Sequence, residues 1–101
     1  MKLLLDVRKW QMDSVFQEEK YCYYSLDTTG LEMHHIFGGG RRKISEKYGL
    51  KVWLRWDVHR KLTDGKLKDF DMYLKQMAQM HYEGNIGTRE EFIKDFGRSY
   101  L

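Results

Sequence analysis

The stretch LEMHHIFGGGRRK, residues 31–43, carries most of the information about the fold of this chain. Its first six residues alternate as in a strand, which sends the adjacent histidines His34 and His35 to opposite faces unless the strand is ending. Three glycines and three cations follow, and they predict a basic, glycine-rich loop over residues 37–48. At a strand end, one imidazole can hold a divalent metal while its neighbour deprotonates a water molecule.

A second strand and a helix are expected after this loop. The segment LKVWLR, residues 50–55, alternates apolar and polar side chains and predicts a strand. A short helix should begin near Asp57, acting as its N-cap, and end by Asp64 and Gly65. His59 falls at the start of that helix, where it could be another metal ligand. Strand, loop, strand and helix with histidines at both inner ends predict an α+β fold, with a small antiparallel ββα-metal core and helices packed around it.

The length of 101 residues fits a single domain, which the sequence divides into three parts. Residues 1–20 are expected to form an N-terminal helix or arm. Residues 21–65 form the ββα core, and residues 66–101 form the C-terminal helices.

Within these parts, residues 21–24 predict a short strand and residues 66–82 the longest helix. Residues 88–91, Thr-Arg-Glu-Glu, form a capping box that begins the last helix, which Gly97 ends. Three apolar residues of that last helix are expected to face the core: Phe92, Ile93 and Phe96.

Positive charge is concentrated in residues 41–61, where eight cations face two carboxylates, whereas the rest of the chain is net negative. A basic segment of this kind suggests a polyanion or an acidic protein as partner. The candidate binding residues are its cations and two tryptophans: Arg41, Arg42, Lys43, Arg55, Arg60, Lys61, Trp53 and Trp56.

The cysteine content and the hydropathy pattern bear on the compartment. Cys22 is the only cysteine, so no intramolecular disulfide can form, which fits a reducing cytoplasm. No apolar run approaches the length of a transmembrane helix, so no membrane partner is expected.

Residues 31–36, the basic loop, SEKYGLKVWLR at residues 45–55, and His59 together resemble HNH (His-Me finger) endonucleases. The chain is most similar to a family of small phage proteins with an HNH-like core, described as endonucleases or recombination nucleases and typical of phages of Gram-positive bacteria. The segment TREEFIKDFGRSYL at residues 88–101 belongs to the same resemblance, which covers roughly residues 20–101.

This resemblance implies one divalent metal ion, either zinc or, if the site is catalytic, magnesium, manganese or nickel. His34 matches the first metal ligand and His59 the second, while His35 matches the general base that activates water. The cations of residues 41–43 would then contact DNA phosphates nonspecifically.

The chain departs from the family pattern in three ways. The middle asparagine, which orients the base histidine, has no clear counterpart. The cysteine pairs that clamp a structural zinc in many HNH domains are absent, since Cys22 stands alone and Arg55 and Val58 occupy the second pair of positions. A third metal ligand is unassigned, with Asp57 and Asp64 both able to serve.

These departures favour a phage-encoded, HNH-like metal-binding protein with a degenerate nuclease site that acts mainly by binding. Its partner would be a host defence nuclease of the CRISPR type, which it would inhibit in the bacterial cytoplasm. The alternative is a divalent-metal-dependent HNH endonuclease acting on duplex DNA. The sequence leaves open whether the chain forms a homodimer.

Overall fold

The fold is built on two antiparallel strands, as predicted. The computed structural model describes residues 13–101. Strand β1 spans Leu31–His35 and pairs with strand β2, Lys51–Arg55. In this register His34 lies opposite Val52 and His35 lies opposite Lys51.

The two faces of the sheet have different environments. Val52 and Leu54 on β2 are fully buried, so Glu32 and His34, which lie opposite them, share the face that looks toward the core. His35 is on the other face, because successive side chains of a strand alternate. The predicted alternation of both strands is therefore confirmed.

The connection between the strands is more regular than predicted. Residues 37–48 do not form a loop throughout, because a 3-10 turn at Gly39–Arg41 leads into helix α1, Arg42–Lys47. The side chain of Ser45 is fully buried; its hydroxyl accepts a hydrogen bond from the backbone N–H of Phe37 and donates one to the carbonyl of Leu50. These bonds fix a segment whose arginine, lysine and glutamate residues are good helix formers.

Helix α2, Trp56–Thr63, follows β2 without a loop. Its N-cap is Arg55, so the prediction that Asp57 caps this helix is wrong. Asp57 lies in the first turn, where its negative charge still complements the positive end of the helix dipole. The helix ends at residues 64–65 as predicted.

Two further helices complete the core. Helix α3 spans Lys68–Asn85 and helix α4 spans Arg89–Phe96. The predicted capping box is confirmed: Thr88 accepts from the backbone N–H of Glu91, and the Glu91 side chain accepts from that of Thr88. Phe92 and Phe96 are buried as predicted, but Ile93 is 39% exposed and the prediction for it is wrong.

The segment before β1 closes one edge of the sheet. Residues 13–20 form no helix and run as an irregular arm; residues 1–12, where the rest of the predicted helix or arm falls, lie outside the described residues. The Ser14 hydroxyl donates to the carbonyl of Lys51 at 2.6 Å, and Gln17 accepts from the backbone N–H of Trp53 at 2.8 Å. The arm thus covers the outer edge of β2 through single polar contacts instead of a strand ladder.

The predicted strand at residues 21–24 is wrong, because this segment is a turn. The backbone N–H of Tyr23 nevertheless donates to the carbonyl of Trp53, so this segment also covers the outer edge of β2. Within residues 13–101 no second strand pairs with the outer edge of β1, which is therefore the open edge of the sheet.

These elements confirm the mixed helix and strand class and its antiparallel pair. In residues 13–101, four α-helices pack around the two-stranded sheet, and helices α2, α3 and α4 bury the apolar side chains of one another and of β2. In the part of the chain that the structure describes, no helix combines the length and apolar character needed to cross a membrane.

Candidate metal centre and candidate base

The first histidine site lies on the core-facing side of the sheet, where α2 leaves β2. His59 is in the first turns of α2, and its Nδ1 lies 2.8 Å from the Oε1 atom of Glu32 on β1. An ionised carboxylate can only accept a hydrogen bond, so the Nδ1 atom carries the hydrogen. In the neutral ring, the Nε2 atom of His59 then has a free lone pair.

His34 is buried next to His59. The two ring centroids are 5.1 Å apart with an angle of 69° between the ring planes. The Nε2 atom of His34 is buried and has no hydrogen-bond partner among residues 13–101. Burial, and after it the positive charge of a protonated His59, lower the pKa of His34 from 6.5 to about 4, so the ring is neutral near pH 7.

This pair of rings has the chemistry of two metal ligands. A neutral imidazole binds a metal through an unprotonated nitrogen, and both Nε2 atoms are unprotonated if His34 carries its hydrogen on Nδ1. A tetrahedral metal with bonds of about 2.0–2.1 Å to nitrogen holds two imidazole centres roughly 5 Å apart. Glu32, bonded to the far nitrogen of His59, is the kind of partner that orients a ligating histidine.

A complete set of three protein ligands does not converge here. Among residues 13–101, no three histidine, cysteine, aspartate or glutamate side chains are grouped so that they could hold a metal ion. Of the two aspartates considered as third ligand, Asp57 pairs with Arg55 at 3.1 Å, whereas Asp64 lines the same cleft as His59. The third ligand stays unassigned.

The cleft beside His59, called here the histidine cleft, is an open cavity of about 560 Å³. Its lining is mostly polar: Glu32, Trp56, His59, Arg60, Thr63 and Asp64. Trp56 is 46% exposed, and the guanidinium groups of Arg55 and Arg60 each lie 5.9 Å from its ring centre. The Trp56 ring packs directly against Gly30, where a Cβ atom would lie 2.9 Å from Trp56 Cδ1.

The second histidine site lies on the opposite face of the sheet. His35 Nε2 is 2.6 Å from Oε1 of Glu46 on α1, and the other carboxylate oxygen accepts from Lys51 Nζ at 2.8 Å. Burial alone would raise the pKa of Glu46, but the hydrogen bonds from Lys51 and His35 outweigh it and hold that pKa below its usual value. A charged Glu46 therefore positions the His35 ring.

Only some of the candidate cations of residues 41–61 lie at these two sites. Arg42 and Lys43 line the cavity that contains His35, and Arg60 lines the histidine cleft. Arg41 instead packs against Gly97 at the end of α4, where a Cβ atom would lie 2.8 Å from its Nη2. Lys61 is exposed on α2 and lines neither cavity.

The two candidate tryptophans lie in different surroundings. Trp53 is on the outer face of β2, half-buried under the arm, with the Lys20 ammonium 4.6 Å from its ring centre. Trp56 lies at the rim of the histidine cleft. Only Trp56 is both exposed and next to a histidine site.

Sequence reasoning missed three residues that hold the histidines: Glu32, Glu46 and Lys51. Glu46 lies inside the quoted segment SEKYGL, but nothing in a single sequence pairs it with His35 across the α1 turn. Glu32 gave one usable signal, since it is two residues before His34 and so shares its strand face.

The comparisons with known proteins returned no match: no protein-family model, no curated protein and no solved structure matches this chain significantly.

Proposed function

We propose that this chain is a metal-dependent phosphodiesterase of the HNH-like type that acts on DNA. The observation that carries the proposal is the pairing of His34 and His59, with ring centroids 5.1 Å apart and Glu32 occupying the far nitrogen of His59. Membership of the small phage HNH-like family, and the bacterial cytoplasm as its location, are parts of the same proposal.

His34 and His59 are the proposed ligands of one divalent metal. With only two protein ligands, the remaining coordination positions are open to water and to a phosphate oxygen. The bound ion would supply charge stabilisation at the scissile phosphate and at the leaving oxygen.

His35 is the proposed general base. Glu46 contacts one nitrogen of its ring. In the HNH-like family an asparagine orients the base histidine, and this chain has no clear counterpart of it. Glu46 would orient the His35 ring instead. With Glu46 charged, the His35 ring can take up a proton from water as the carboxylate stabilises the resulting imidazolium.

The open edge of β1 supports the use of both histidine sites on one substrate. His34 and His35 point to opposite faces, but β1 has no neighbouring strand on its outer side within the described residues. A phosphate at this edge can be approached from both faces of the sheet. Arg42 and Lys43, which line one cavity, and Arg60, which lines the other, would contact flanking phosphates.

A second candidate function is binding without cleavage, as an inhibitor of a host CRISPR-type nuclease. It is favoured by the absence of a third converging ligand among residues 13–101. In that case Trp56 and Arg60 would contact an acidic protein surface.

Plasmid nicking decides between the two functions. The wild type is incubated with magnesium, manganese, nickel and zinc in turn, beside variants His34→Ala, His35→Ala and His59→Ala. His81→Ala is the matched control, because His81 lies on α3 and contacts Phe16 instead of the sheet. Each of the first three variants should be slower by at least about a hundredfold, the lower range for removal of a general base, and the control should not.

Two outcomes contradict the nuclease proposal. One is nicking that survives both His34→Ala and His35→Ala. The other is no nicking in any metal together with inhibition of a purified CRISPR nuclease that persists in His35→Ala, which would support the binding function.

A further inference from the structure

A second cleft, distinct from the two histidine sites, lies where α3 begins. It is an open cavity of about 520 Å³ formed by residues 65–70 and the ring of Tyr24. We call it the aromatic cleft. The rings of Tyr24 and Phe70 meet edge to face at 4.8 Å, and Tyr73 stacks on Phe70 at 6.5 Å with 18° between their planes.

Two exposed tyrosine rings lie at this cleft: Tyr24 lines it, and Tyr73 stacks on the lining residue Phe70. Tyr24 is 51% exposed and Tyr73 is 54% exposed, although each ring could bury a large apolar area. Tyr24 is held in a defined turn, because the amide of Cys22 donates to the carbonyl of Asp27 and the amide of Leu26 donates to the carbonyl of Cys22. The rings are therefore presented by fixed backbone, which lowers the entropic cost of binding a ligand on them.

The lining of the aromatic cleft carries a small excess of positive charge. Lys66 and Lys68 line the aromatic cleft and are exposed, against one carboxylate, Asp69. Aromatic faces with adjacent cations form the usual surface for unpaired bases, which stack on the rings while cations contact the phosphates.

The aromatic cleft is continuous with the histidine cleft along the chain. Thr63 and Asp64 line the histidine cleft, and Gly65 and Lys66, the next two residues, line the aromatic cleft. The two clefts are therefore lined by neighbouring residues of the turn between α2 and α3. A strand that runs from the first cleft to the second would pass this turn.

We propose that the aromatic cleft binds a single-stranded stretch of DNA that continues from the strand at the histidine site. This rests on the proposed function for the strand in the histidine cleft, and it makes the preferred substrate a duplex with an overhang or gap instead of a blunt duplex. Tyr24 and Tyr73 stack bases, and Lys66 and Lys68 contact phosphates. An acidic protein segment fits less well, because the proposed occupant of the adjoining cleft is already a polyanion.

Fluorescence anisotropy tests this with three labelled probes in EDTA: a blunt duplex, the same duplex with a single-stranded overhang, and the single strand alone. The full chain is compared with Tyr24→Ala/Tyr73→Ala and with Tyr24→Phe/Tyr73→Phe, which keeps both rings. Ile93→Ala is the control for removing an exposed apolar side chain on another helix.

The wild type should bind the overhang probe about tenfold more tightly than the blunt duplex, in line with one or two stacked bases. The alanine pair should abolish that preference, while the phenylalanine pair and Ile93→Ala should keep it. Lys66→Ala/Lys68→Ala should reduce the log–log salt slope for the single strand by about 0.7 for each phosphate that the protein no longer neutralises.

Equal affinity for overhang and blunt probes, or an overhang preference that survives the alanine pair, would overturn the inference. So would binding of poly-glutamate, but not of the single strand, through the same tyrosines. Zinc titration and nicking of circular plasmid are run on the same variants. Because neither assay depends on Tyr24 or Tyr73, they distinguish failure of this inference from failure of the proposed function.

Discussion

Glu32 and His59, one on β1 and the other on α2, are joined by a 2.8 Å contact between a carboxylate oxygen and Nδ1. The contact crosses from strand to helix and determines which nitrogen of His59 carries hydrogen. It also leaves Glu32 more than half exposed, so the carboxylate acts on the ring without a buried ion pair of high desolvation cost.

Replacing Glu32 should therefore weaken metal binding more than it weakens the fold. We expect Glu32→Gln to lower the affinity for zinc by about 10–100-fold, the usual effect of removing a partner that orients a ligating histidine. Calorimetric titration measures this, and the zinc-induced rise in melting temperature should shrink in parallel. Asp27→Asn is the control, since Asp27 is exposed and contacts Ser25. Unchanged zinc affinity in Glu32→Gln would contradict the expectation that Glu32 orients His59 as a metal ligand.

The burial of His34 should make the metal-free protein less stable in mild acid. Its pKa is lowered from 6.5 to about 4 in the folded state. Between these two pH values, the His34 side chain is protonated in the unfolded state and neutral in the folded state. This contribution to stability is fully present above pH 6.5 and disappears as the pH falls toward 4, at most about 3 kcal/mol in total.

Urea unfolding in EDTA at pH 5 and pH 7.5 tests this pH dependence. His34→Gln, which cannot titrate, should flatten the difference between the two pH values, and His81→Gln should preserve it. An unfolding free energy of the wild type that is constant or falls with rising pH would refute the prediction.

Glu46 links two groups, and its replacement should affect both. In Glu46→Gln the nearly buried Lys51 ammonium no longer faces a carboxylate, which should cost about 2 kcal/mol, between the values for exposed and buried pairs. Because the pKa of Glu46 is lowered in the folded state, its contribution is present above its ordinary pKa and disappears as pH falls through the lowered value. Urea unfolding at pH 7 measures the cost, with the exposed Glu18→Gln as control. A change within about 0.5 kcal/mol, typical of plain surface sites, would mean that the contact contributes little.

Gly30 should tolerate no side chain. Its φ of +67° lies in the left-handed region, and a Cβ atom would meet Trp56 at 2.9 Å. We expect Gly30→Ala to lower the unfolding free energy by about 1–2 kcal/mol from the backbone alone, and to shift the Trp56 fluorescence. Gly38→Ala is the control, since nothing lies within 4 Å of a Cβ there. Equal stability of the two variants would contradict this account.

Much of the secondary structure could be read from short-range signals. The two strands follow from the alternation in residues 31–36 and 50–55, and the last helix follows from the Thr88 capping box. The proximity of His34 and His59 follows from their places at the ends of a strand and a helix. Their role as metal ligands stays a prediction.

The errors have a common physical cause: tertiary contacts that override local composition. The glycines at residues 38–40 suggested a loop, yet buried Ser45 anchors a helix just after them. The residues 21–24 have strand-like composition, but they meet β2 through one amide and then turn. Glu46 and Lys51 look like surface charges in the sequence, and only the folded chain brings them to His35.

Among residues 13–101, the sheet has one edge covered by the arm and one open edge, and His34 and His35 lie on the strand at the open edge. Within the described residues, an extended segment from another molecule that adds to this sheet would add beside β1, since the arm occupies the outer edge of β2. Strand addition, self-association included, would thus compete with the proposed substrate for the same five residues. Aggregation of this protein and occupation of its histidine sites should be mutually exclusive states.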